Sequence, residues 1–151
     1  MYYLIAFIMG LGIAMQAPLN STLSRALNDS SILSAMINFV IGALFLAVLA
    51  YCSGALHFDT MKALPQQSWW KFLGGVLGAF YIFGTILLAP KIGLINMFSI
   101  ALVGQLVMSM ILDSIGAFGL SVRPISWQKV VGLLIMCVGL FIFFSKEFKS
   151  A

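Results

Sequence analysis

Charge is what this sequence most lacks. Only 8% of its 151 residues are Asp, Glu, Lys or Arg, and just four of these are acids. A water-soluble domain carries roughly 25% charged residues because its surface must stay wet, so this chain cannot clothe its exterior in water. Histidine occurs once, at His57, and a lone loop histidine offers no catalytic constellation. The two cysteines, Cys52 and Cys137, lie in or at the edge of apolar segments without CxxC or metal-like spacing, which predicts reduced thiols rather than a disulfide framework. There is no phosphate-binding glycine loop, metal cluster or nucleophile elbow. Enzyme chemistry has no visible seat, and no cofactor, metal or nucleic-acid partner is expected. No Lys or Arg precedes the first apolar run, MYYLIAFIMG, and no clear small-residue cleavage site follows it. That run is expected to be a first helix and not a cleaved signal.

What the chain does have is hydrocarbon. Apolar residues make up 62% of it, and the mean hydropathy is +1.12. A helix crosses the roughly 30 Å of a bilayer core with about 20 mostly apolar residues. Five segments meet this requirement, at about 2–24, 32–53, 69–89, 94–116 and 127–145. Each run is unbroken and does not alternate in polarity as a barrel strand does. An uninterrupted helix also satisfies its own backbone in lipid. The fold class predicted is an all-α integral membrane protein with five transmembrane helices in one domain, 1–151. Tyr2, Tyr3, Tyr51, Trp69, Trp70 and Trp127 fall at predicted span ends, where amphipathic rings sit among headgroups. Lys71, Lys129 and Lys146 lie near span ends and can snorkel outward.

The distribution of positive charge carries further information, because an excess of Lys and Arg in cytoplasmic loops sets orientation. With five spans, one side holds Lys62, Lys71, Arg123 and Lys129, and the other holds Arg25, Lys91, Lys146 and Lys149. The count is four against four and accounts for all eight basic residues. Insertion then has no charge bias to follow. The expectation is dual topology, with copies inserted both ways up and paired as an antiparallel dimer of ten helices. The alternative is a single orientation decided by a partner or a local charge.

Small residues recur along the spans. Gly74-x-x-x-Gly78 in the third has the small-xxx-small spacing that lets two backbones approach. Gly132 and Gly139 in the fifth fall on one face two turns apart. Polar residues inside spans need a partner or a wet cavity. Gln16 and Asn20 share a face of the first helix, around Pro18, whose missing N–H predicts a kink. Gln105, Ser109 and Asp113 repeat the four-residue spacing in the fourth, and Asn38 and Tyr81 add polar groups in the second and third. Two readings stay open for Gln16, Asn20 and Gln105: interhelical hydrogen bonding or contact with a substrate. Asp113, near its helix end, is either an interfacial acid capping structure or pairing with Arg123 or Lys129, or a proton or cation site. The first helix has no acid, so the deep carboxylate of a proton-coupled cation exporter is missing.

Gln16-x-x-x-Asn20, Gly74-Gly-x-x-Gly78-Ala79, Pro90-x-x-Gly93 and Gly104-Gln105-x-x-x-Ser109-x-x-x-Asp113-x-x-Gly116, followed by Arg123-Pro124, together resemble a known family over nearly the whole chain. It is that of the YdcZ-type bacterial inner-membrane proteins, small five-helix members of the drug/metabolite transporter superfamily. The resemblance implies a multi-pass protein of the bacterial inner membrane that acts as a transporter subunit. Its motif residues carried onto this chain are Gln16, Asn20, Gly74, Gly78, Gln105, Ser109 and Asp113. The function expected is a small-molecule transporter whose antiparallel homodimer lines polar crevices with helices one and four and takes a small polar or amphipathic substrate. The alternative is a non-transporting membrane component, lipid-binding or structural, whose polar residues hold helices together. Partners expected in either case are membrane lipid and a second copy of the chain.

Overall fold

The computed structural model describes residues 1–57 and 61–145; Lys146 and Lys149 lie outside the described residues. Among the described residues there is no strand, and five helices are long and apolar enough to cross a membrane. They are α1 (Tyr2–Ala26), α2 (Ser31–Cys52), α3 (Leu73–Ile92), α4 (Leu94–Ile115) and α5 (Trp127–Phe144).

The helix boundaries follow from local chemistry. Between α1 and α2, Asn28 and Asp29 both take positive φ (54° and 58°), a conformation that short amide and acid side chains tolerate better than other non-glycine residues. Ser30 then caps α2, its hydroxyl accepting a hydrogen bond from the Leu33 N–H at 3.3 Å, which satisfies an otherwise orphaned donor. A 3₁₀ turn over Trp69–Phe72 leads into α3, so the third span starts in a tighter coil than the α-helix expected from Trp69. At its other end α3 continues past Ala89, where the sequence predicts closure, through Pro90 and Lys91 to Ile92. The proline ring removes a single bond in the last turn without stopping the helix. The stop is Gly93, whose φ of +81° suits a residue without a Cβ.

Packing divides the chain into two compact units, Met1–Ile92 and the part from Gly93 onward. In the first, α1, α2 and α3 all touch one another. Their buried residues are mostly small: Ala17, Asn20 and Ser24 on α1, Ser34 and Ala35 on α2, Thr85, Ile86 and Ala89 on α3. Ala17, Asn20 and Ser24 recur at three and four residues and so form one face. Large apolar side chains such as Leu4, Phe45, Leu46 and Phe80 are exposed instead. This inversion of the soluble pattern is what a lipid solvent selects. Lipid tails are as apolar as leucine, so helices associate through close contacts of small residues and through hydrogen bonds. In the second unit α4 packs with α5, and the buried residues are Met97 and Phe144.

Candidate functional site

The polar chemistry of the three-helix unit begins where α1 meets α2. Ser34 is fully buried, and its hydroxyl donates to the Asn20 carbonyl at 2.8 Å. One turn along α2, the Asn38 side-chain amide donates to the Ser34 carbonyl, also at 2.8 Å. At the end nearer the turn, the Ser24 and Ser31 hydroxyls lie 3.5 Å apart. These contacts form a polar seam between two otherwise apolar helices. Pro18 does not break α1, which runs unbroken to Ala26. The Thr22 hydroxyl donates back to the Pro18 carbonyl at 2.8 Å, a local bond that partly offsets the irregularity a proline introduces.

Beside the seam lies a groove of about 570 Å³, bordered by Gln16 and Asn20 on α1, by Asn38, Phe39, Gly42 and Leu46 among others on α2, and by Ile82 on α3. No residue bordering it is ionisable. Asn20 is only 6% exposed. Its backbone carbonyl is bonded to Ser34, yet its side-chain carboxamide has no hydrogen-bond partner among the described residues. Gln16 is exposed and equally unpartnered. Asn38 uses one N–H on Ser34 and keeps its carbonyl. A carboxamide presents two donors and a two-lone-pair acceptor, so the three together form an uncharged, two-sided hydrogen-bonding surface against an apolar wall. Among the described residues the fully enclosed side-chain polar atom without a partner is the Ser21 Oγ; the Asn20 carboxamide is instead open to the groove, where a ligand's polar group can reach it.

The remaining residues predicted from sequence stand elsewhere. Tyr81 is half-buried on α3, next to Ile82 but not itself bordering the groove. Gln105 and Ser109 are exposed on α4 and Asp113 is half-buried, all on one helix face as their spacing requires. Asp113 has a backbone role: its carbonyl accepts from the Gly116 N–H at 3.4 Å and the Arg123 N–H at 2.8 Å. The segment after α4 thus folds back onto the helix end, bringing the Arg123 backbone N–H to the Asp113 carbonyl. Of the four glycines assigned to helix packing, Gly78 faces the Phe39 ring, which an added Cβ would meet at 3.5 Å. At Gly74, Gly132 and Gly139 an added Cβ would meet no heavy atom within 4 Å.

Two residues central to this arrangement are not among the site residues predicted from sequence, although Gly116 stands in the fourth-helix motif. Ser34 could have been found from its spacing, four residues before Asn38 and three after Ser31, in a span that is otherwise nearly all apolar. Gly116 could have been found from its place just past α4, where a left-handed glycine commonly ends a helix.

Five helices of spanning length, three of which border an uncharged, amide-lined groove, mark a polytopic α-helical membrane protein. The family described as "Putative inner membrane exporter, YdcZ" matches residues 1–142, and the chain belongs to that family. It is 25% identical over 141 residues, spanning 92% of this chain and 91% of the relative, to "Inner membrane protein YdcZ" of Escherichia coli (strain K12). No solved structure matches it. The protein is accordingly a multi-pass inner-membrane protein, and its family is one of exporters and not of enzymes.

Proposed function

We propose that this chain is one half of a small-molecule exporter of the drug/metabolite transporter type and works as a dual-topology antiparallel homodimer. The observation that carries the reading is the Asn20 carboxamide, which has no hydrogen-bond partner among the described residues, at a groove it shares with Gln16 and Asn38. Carboxamides that only hold helices together would bond across the interface, as the Ser34 hydroxyl does. Gln16 and Asn20 do not. Two copies inserted in opposite senses would relate their grooves by a two-fold axis in the membrane plane. One set of contacts could then serve both the inward-open and outward-open states. Gln105, Ser109 and Asp113 share one face of α4, with Asp113 the candidate ion-coupling acid. Gly74, Gly132 and Gly139, whose surroundings are open within the chain, are assigned to contact between copies.

Solvent access tests the groove. In a variant lacking Cys52 and Cys137, Gln16→Cys, Asn20→Cys and Gln105→Cys are expected to react with a membrane-impermeant maleimide, whereas Leu44→Cys, exposed on α2 but outside the groove, stays inert. Inert thiols at 16 and 20 would instead make the protein a non-transporting membrane component held together by its amides.

Orientation is tested separately. The four-against-four count predicts that a C-terminal alkaline phosphatase and a C-terminal fluorescent protein, active on opposite sides of the membrane, both give signal in comparable amounts. A single active reporter refutes dual topology. Adding two lysines to the loop before Trp69 should then drive most copies one way, because short-loop positive charge decides insertion.

A further inference from the structure

α4 is 22 residues long and at 1.5 Å per residue covers about 33 Å, the depth of a bilayer's hydrocarbon. Its C-terminal end therefore stands at the level of the headgroups. The chain does not leave that level at once. The Arg123 N–H bonds the Asp113 carbonyl at 2.8 Å, and the Leu120 carbonyl oxygen and Val122 lie so close to Gly116 that an added Cβ would meet both. The segment 116–126 is thus held against the helix end, yet it exposes apolar side chains. Phe118 is 74% exposed, and Leu120, Val122 and Ile125 are exposed as well. Gly116 and Gly119 take positive φ freely. Phe118 also has positive φ, at +57°, a conformation that a bulky residue adopts only at a cost. An aromatic ring therefore stands where glycine would make the easier turn. No acid occurs from Ser114 to Ser145, whereas Arg123 and Lys129 do.

We infer that the segment 116–126 docks on the bilayer surface, with Phe118 and Leu120 among the upper acyl chains and the Arg123 guanidinium on the phosphates of anionic phospholipid. The chemistry selects this layer over the two beside it. In water, a ring and three branched apolar side chains would stay hydrated together, at the full hydrophobic cost. Deep in hydrocarbon, a non-helical backbone would leave its polar groups without partners. At the interface the side chains reach acyl chains while the backbone stays among headgroups and water. Arginine suits the phosphate level, because its planar fork of donors matches phosphate oxygens, and a segment with basic residues and no acid is drawn to an anionic leaflet. This docking holds whether or not the chain transports a solute.

The test uses the full chain, with Cys52 and Cys137 replaced, in liposomes of phosphatidylcholine and phosphatidylglycerol, and a bimane fluorophore on Leu120→Cys. Quenching by lipids spin-labelled high on the acyl chain is compared with quenching by aqueous iodide. At residue 120 lipid is expected to quench more than iodide. At Asp29→Cys, exposed in the polar turn after α1, the order is expected to reverse. Spin-labelled phosphatidylglycerol should associate with residue 120 about fivefold more strongly than spin-labelled phosphatidylcholine, the factor one basic side chain gains near an anionic surface. Arg123→Gln should bring the two lipids close to parity. Phe118→Gly suits the φ of +57°, so folding is retained, and it should shift the residue-120 fluorophore toward iodide. Stronger quenching by iodide than by lipid at residue 120 overturns the inference, as does protection from both, which would mean that protein covers the segment. Equal association of the two lipids, unaltered by Arg123→Gln, overturns the phosphate contact, and unaltered quenching in Phe118→Gly overturns insertion of the ring.

Discussion

Ser34→Leu is expected to destabilise the protein by about 2–4 kcal/mol, combining overpacking of a well-packed site, roughly 1–3 kcal/mol, with a lost interhelical hydrogen bond of about 0.6 kcal/mol. Ser34 has no exposed surface and lies in the α1–α2 contact, with its hydroxyl on the Asn20 carbonyl at 2.8 Å. A leucine there must push α1 away. The displacement would also move Asn20 and Asn38, whose positions are tied to residue 34 by backbone and side-chain bonds. In a mild detergent the variant should show a lower thermal midpoint and a smaller monodisperse fraction on gel filtration. Ser34→Ala serves as the reference: it removes only the hydrogen bond and should cost about 0.6 kcal/mol. If leucine and alanine prove equally mild, the close α1–α2 contact is not what holds the three-helix unit together.

The second large effect is expected at Gly116, which ends α4 in the left-handed conformation at φ +61°. A side chain there meets two penalties. The backbone conformation alone costs a residue with a Cβ roughly 1–2 kcal/mol. The Cβ itself would stand 2.7 Å from Val122 Cγ2 and 3.1 Å from the Leu120 carbonyl oxygen, which forces the following segment off the helix end. That segment is held by the Arg123 N–H on the Asp113 carbonyl, so Gly116→Val should release it as well as strain it. The measurement is the thermal midpoint of Gly116→Val together with limited proteolysis after Arg123, which should become faster. Val122→Ala in the same chain should recover the part due to the side-chain clash and none of the part due to φ. Full recovery would show that the left-handed backbone contributes nothing.

These two residues mark the boundary between what was legible in the sequence and what was not. The spans were legible because an 18–25-residue apolar run has one stable arrangement in hydrocarbon, and the observed helices depart from the predicted ends by four residues at most, at the start of α3, and by three at its other end. That departure has a clear cause. Pro90 reads as a breaker, but a proline in a final turn removes one bond, and the helix continues until Gly93 supplies a backbone turn. Gln16 and Asn20 were legible as polar groups on one face for the same reason that any i, i+4 pair is. Ser34 was not singled out, since a serine in a span is unremarkable until its neighbour is known.

Composition and periodicity thus determined the class of the protein, the number and limits of its helices, and the balance of positive charge across the membrane, because each depends only on how residues partition between water and lipid. Tertiary packing decided which polar residues meet: Asn38 joins Gln16 and Asn20 at one groove, Tyr81 does not border it, and Asp113 anchors a loop through its carbonyl. Such choices depend on which helix faces approach closely enough for a hydroxyl or an amide to reach across, a distance that spacing along a single helix does not contain.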